Sequence, residues 1–211
     1  MAWPGRLGRM TEPHDYQVQS SQAVFDGHVI RLRRDVVTMP GDTTSQRDVV
    51  EHPGAVGVVA LDDQDRVLVV DQYRHPVRRR LLEIPAGLLD HPGELALAAA
   101  QRELAEEAGL AADTWHVLVD VLTTPGMSDE AIRVFLARDV REVHRDVQEH
   151  EEADMTSSWE PLDELVEQVL AGRLENAMAA IGVLAADRAR RDGFAALRSA
   201  DAPWPAQKTN S

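Results

Sequence analysis

The chain has 211 residues and a formal net charge of −14, with 44% hydrophobic but only 4% aromatic residues. That length fits one domain with a core of Leu, Val and Ala, and the acidic balance argues against gripping a nucleic acid polymer through a broad basic surface. There is no cysteine, which excludes disulfides, thiolate metal sites and a cysteine nucleophile and fits a reducing compartment such as the cytoplasm.

The opening "MAWPGRLGRM" has no apolar signal region, and Met10 is an alternative start. Residues 1–14 are expected to be disordered. Over 15–52, short β-like runs alternate with turns at Asp26-Gly27 and Pro40-Gly41-Asp42, which predicts a small antiparallel sheet. From residue 53 to 193 a main domain is expected. "GAVGVVAL" and "RVLVVDQYR" read as apolar strands joined by the polar "DDQD" turn. "RLLEIPAG" reads as a third strand stopped by Pro85, because proline cannot continue a ladder; nearby carbonyls are then left unpaired.

A helix follows. Pro92-Gly93 precedes it, Glu94 is placed in its first turn, and Gly109 stands where a left-handed C-cap would be. Leu97, Ala100, Leu104 and Ala108 have the spacing of a buried stripe. Glu103, Glu106 and Glu107 crowd onto a separate arc, although like charges three or four apart cost about 0.2–0.5 kcal/mol per pair. One reading is a solvated helix face. The other is a site for a hard cation, which takes carboxylate and carbonyl oxygens.

After the helix come the strand "WHVLVDVLTT", the loop "PGMSDE" and the strand "AIRVFLARDV". A charged loop over 141–156 follows, then a short strand with a helix, then a last helix. Residues 194–211 are expected to form a flexible tail. Strands flanking a helix on both sides predict an α+β fold, a mixed β-sheet sandwiched between helices. No run of about 18 apolar residues exists to span a membrane.

The order Gly87, six residues, Glu94, seven residues, then "RELAEEAGL" closely resembles the Nudix box, with one extra residue between Gly87 and Glu94. The resemblance implies the Nudix fold and hydrolysis of a nucleoside diphosphate linked to another group. It implies Mg²⁺, with Mn²⁺ able to substitute, held by Glu103, Glu107, Glu106 and the carbonyl of Ala86. Gly87, Glu94, Arg102 and Gly109 are its structural positions. Pro125, fifteen residues after Leu110, the run "DQYRHPVRRRLLEIPAGLLD" and "HEEADM" resemble the ADP-ribose pyrophosphatase branch, especially its mycobacterial-type members.

That branch implies cleavage of ADP-ribose to AMP and ribose 5-phosphate, with a base on the charged late loop. Glu152 is favoured, Glu151 is next, and Glu149 remains open. Arg47 and Arg74 are candidate phosphate contacts, and Gly126, Met127 and Ser128 a ribose or phosphate loop. Glu83 is a candidate support for the metal site. Arg78, Arg79 and Arg80 are either a solvated turn or a second phosphate grip. The branch also implies a homodimer that exchanges N-terminal sheets, with Phe25 or Val29 of the partner facing the adenine. Two alternatives stay open: another nucleoside diphosphate derivative, such as a nucleotide sugar or NADH, and a Nudix-fold sensor that binds without cleaving.

Overall fold

A strand with apolar side chains on both faces needs cover on both sides, and the middle of this chain is built that way. The computed structural model describes residues 14–144 and 154–207. Strand β4 (Ala55–Ala60) is buried at every position. It lies inside a five-stranded sheet ordered β11 (Arg198–Ser199), β8 (Leu110–Leu122), β9 (Ala131–Glu142), β4, β7 (Ala86–Leu88). The β4–β9 pair is parallel and the other pairs are antiparallel.

Alternation along β4 sends Val56, Val58 and Ala60 toward Ala99, Ala100 and Leu104 of α1 (Ala96–Ala108). Ala55, Val59 and the following Leu61 join Leu165 of α2 (Leu162–Leu170) and Val183 of α3 (Ala177–Arg190). Each fully buried Val or Leu contributes about 1.5–3 kcal/mol. The mixed sheet therefore sits between helices, as expected for an α+β chain.

A second sheet, antiparallel, is ordered β10 (Thr156–Pro161), β5 (Arg66–Arg74), β6 (Arg79–Glu83). A 3₁₀ turn at His75–Val77 joins β5 to β6 and closes on Arg78 in the left-handed region, at φ 55°. "RLLEIPAG" is thus not one strand. The chain leaves this sheet after Glu83, crosses at Ile84-Pro85, and joins the five-stranded sheet as β7. The carbonyl of Pro85 is not left open: it accepts from the Val58 amide at 2.8 Å.

The N-terminal sheet is β1 (Val18–Asp26), β2 (Arg31–Met39) and β3 (Thr43–Glu51), antiparallel throughout. Every residue of β1 is exposed. Val18, Val24, Phe25, Val29 and Ile30 all stand open to solvent.

The expected flexible tail behaves otherwise through residue 207. β11 adds to the edge of β8, and Trp204 is buried with the Arg133 guanidinium 4.9 Å over its ring. Arg133 is itself buried on β9, where an unpaired charge would be costly. It donates to Asp120 at 2.7 and 3.0 Å and to the carbonyls of Ala202 and Pro203 at 2.7 and 3.1 Å. The tail packs because it supplies acceptors to that arginine.

Candidate active site

The helix carrying the acidic turn starts one residue after its N-cap, Leu95, so Glu94 precedes the first turn rather than lying in it. Its end is as expected. Gly109 adopts φ 64°, and its amide donates to the carbonyls of Ala105 and Leu104; a residue with a Cβ is disfavoured there. The buried face is Ala96, Ala99, Ala100, Glu103, Leu104 and Glu107, with Leu97 and Ala108 only half-buried.

Glu103 and Glu107 are therefore not on a solvated arc; they are 8% and 7% exposed. Glu106 is exposed. A built Cβ on Gly87 would lie 1.8 Å from Oε1 of Glu103, so the glycine is needed for this close approach. The backbone amide of Ala86 donates to Glu107 Oε2 at 3.0 Å. Strand β7 thus presses its start against both buried carboxylates.

Arg102 organises the remaining charge. Its Nε and Nη2 each donate to Glu94 at 3.1 Å, and its Nη1 donates to Glu103 at 2.7 Å and Glu106 at 3.0 Å. The bonds to Glu94, foremost, hold the guanidinium firmly protonated. The same pair holds the Glu94 carboxyl below its usual range. Through these bonds Arg102 ties the loop residue Glu94 to the helix.

The donor chemistry suits a hard divalent cation: hard carboxylate oxygens one helical turn apart, two of them largely removed from water. The side chains turn toward Arg102 and the Ala86 amide. Among the described residues, no group of three or more His, Asp or Glu is gathered around one point as a cage.

The other expected residues scatter. Arg74 ends β5 and makes a two-point pair with buried Glu83, Nε to Oε1 at 2.9 Å and Nη2 to Oε2 at 2.7 Å. Arg47 is exposed on β3, where it donates to Ser45 and to the Gln46 carbonyl, within its own sheet. Gly126, Met127 and Ser128 lie in the β8–β9 loop with Pro125. This loop is hooked to the end of β3: the Val50 amide donates to the Met127 carbonyl at 2.8 Å, and the Asp129 amide to the Val50 carbonyl at 3.2 Å. Asp129 also accepts from the His52 amide, and His52 Nε2 stands 3.6 Å from Glu130. Sequence reasoning missed this junction, which joins residues some 77 positions apart.

All three arginines of the basic run are exposed, Arg78 at the turn before β6. Arg79 pairs with Glu175, and Arg80 with Asp71 and Asp154. Arg80 also donates to the Asp154 carbonyl at 2.8 Å. Glu149, Glu151 and Glu152 lie outside the described residues.

The NUDIX domain family matches residues 51–181. The chain belongs to the Nudix family. It is 51% identical over 191 residues to an ADP-ribose pyrophosphatase of Mycobacterium tuberculosis, covering 90% of this chain and 92% of that one. It is 34% identical over 165 residues to a methanol dehydrogenase activator of Bacillus methanolicus, covering 77% and 88%. The solved structure of an ADP compounds hydrolase superposes with a TM-score of 0.74 at 17% identity, over 87% of this chain and 99% of that one; this likeness concerns the Nudix fold alone. The buried Glu103 and Glu107, the Gly87 approach and the Gly109 cap all lie within the matched residues.

Proposed function

We propose that this Nudix protein hydrolyses ADP-ribose to AMP and ribose 5-phosphate. The observation that carries the hydrolase reading is the pair of buried carboxylates, Glu103 and Glu107, held one turn apart against the Ala86–Gly87 backbone. The substrate is supported by the relative from Mycobacterium tuberculosis, whose match covers nearly the whole chain.

Glu103, Glu107, Glu106 and the Ala86 carbonyl would hold Mg²⁺, or Mn²⁺ in its place. When bound there, divalent ions would supply charge to neutralise diphosphate oxygens and would lower the pKa of a water. The chain's own residues do the rest. The Ala86 amide fixes Glu107, and Arg102 fixes Glu94 and the helix flank. Arg74 and Arg47 contact the diphosphate, and Gly126, Met127 and Ser128 line the ribose end. Glu152 takes the proton of the attacking water, with Glu151 the next candidate. Water's oxygen bonds to one phosphorus, the bridging anhydride bond breaks, and the two phosphate monoesters leave.

The working unit is a homodimer with exchanged N-terminal sheets. The open apolar side chains of that sheet, Phe25 and Val29 among them, support this. The cysteine-free sequence supports a cytoplasmic place of action.

The test is chromatography of ADP-ribose, a nucleotide sugar and NADH incubated with the protein and Mg²⁺. AMP from ADP-ribose at the highest kcat/KM is expected. Preferred turnover of another derivative overturns the substrate, and tight ADP-ribose binding without AMP overturns catalysis. Glu152→Gln is expected to lower kcat by about 10²–10⁴-fold with folding intact; near-normal turnover removes Glu152 from the mechanism.

A further inference from the structure

The geometry points to Glu83 as a positioning residue for substrate. It holds the Arg74 guanidinium in one orientation as a diphosphate contact, and it does not act on the acidic turn. This role rests on the hydrolase reading above.

Glu83 is the last residue of β6 and its side chain is 3% exposed, whereas the Arg74 side chain is 41% exposed. The two are not cross-strand neighbours: Arg74 lies opposite Arg79, and Glu83 lies opposite Val70. Val70, Gln72 and Arg74 share one face of β5 by alternation. The two side chains must therefore stretch toward each other along that face, over four residues of strand. Holding two long side chains in one geometry costs conformational entropy, so the arrangement is specific.

The pair uses the Nε and Nη2 atoms of the guanidinium, and a planar fork gripped at two points is held in one orientation.

The short run Glu83–Gly87 carries both functions. Glu83 holds Arg74 at one end, while Ala86 holds Glu107 and Gly87 admits Glu103 at the other. The crossing at Ile84-Pro85 thus sets the spacing between the diphosphate grip and the carboxylates. Arranging a binding group in advance lowers the cost of ordering it on binding, and loss of a contact made equally in ground and transition states raises KM.

The experiment is a double-mutant cycle with Glu83→Gln and Arg74→Lys, reading KM and kcat for ADP-ribose and the Mg²⁺ concentration for half-maximal rate. Each single variant is expected to raise KM about tenfold, with kcat changed less than about threefold. The double variant is expected to be no worse than Arg74→Lys alone, because the tether has nothing left to hold. Half-saturating Mg²⁺ is expected to stay within about twofold of wild type. If Glu83→Gln does not fold, Glu83→Asp replaces it in the cycle: it keeps the charge but is too short for both nitrogens. Additive KM effects, or a shift in Mg²⁺ dependence with KM unmoved, overturn the positioning role alone. A wild type that leaves ADP-ribose intact overturns the substrate reading and this role with it.

Discussion

In the acidic turn of α1, charged side chains are buried and held; in the N-terminal sheet, apolar side chains lie open to water. Glu103 and Glu107 are 8% and 7% exposed, while Phe25 is 56% exposed. Both arrangements cost free energy in an isolated chain. Burying carboxylates is costly without partners, and exposed apolar groups forgo burial worth about 25 cal/mol per Å². The turn answers its cost inside the chain, through Arg102 and the Ala86 amide. The sheet has no such cover within the described residues of its own chain. The difference teaches that burial alone does not sort the two regions; under the proposed function, the turn finds its complement in divalent cations and the sheet in a second copy of the chain.

The contrast can be broken at its strongest point first. Glu107→Gln keeps the shape of the side chain and an acceptor for the Ala86 amide but removes the charge. We expect kcat to fall by more than about 10²-fold with the melting temperature little changed; unchanged turnover would mean that the burial is only structural. Gly87→Ala should act next. Its methyl group must displace Glu103, so activity is expected to fall about 10- to 100-fold, read alongside circular dichroism to confirm the fold.

On the side of the sheet, Phe25→Glu is expected to weaken a dimer by about 2 kcal/mol or more, seen by light scattering as a shift to monomer. A wild type that is already monomeric at micromolar concentration would remove the exchange reading. The smallest effect concerns pH. Glu94 titrates below its usual value because Arg102 binds its charged form. A depressed carboxyl adds stability that is complete above its unfolded value and is lost as pH falls through the folded one. The melting temperature should be level above about pH 5 and decline below it, and Glu94→Gln should make that decline shallower.

Much of this was legible in the sequence because its causes are local. The Gly109 cap, the apolar run of "GAVGVVAL" and the spacing from Gly87 to Glu107 all act over short stretches of sequence. The misreadings were of longer range. "RLLEIPAG" looked like one strand because nothing in it says that the chain changes sheets at Ile84-Pro85. "RRR" stayed open between a solvated turn and a phosphate grip because the partners Asp71, Asp154 and Glu175 lie elsewhere in the sequence. The tail looked loose because its anchor, Arg133, sits about 70 residues earlier.

The sequence by itself determined the helix, its end, the strands flanking it and the box that identifies the family, since backbone propensity, capping and periodicity depend on near neighbours. Only the tertiary structure decided which glutamates of the box are buried, that Glu83 faces Arg74 rather than the acidic turn, and that Trp204 closes over Arg133. Those outcomes depend on which surfaces meet when the sheets and helices pack, and a charged side chain goes wherever that packing leaves it a partner.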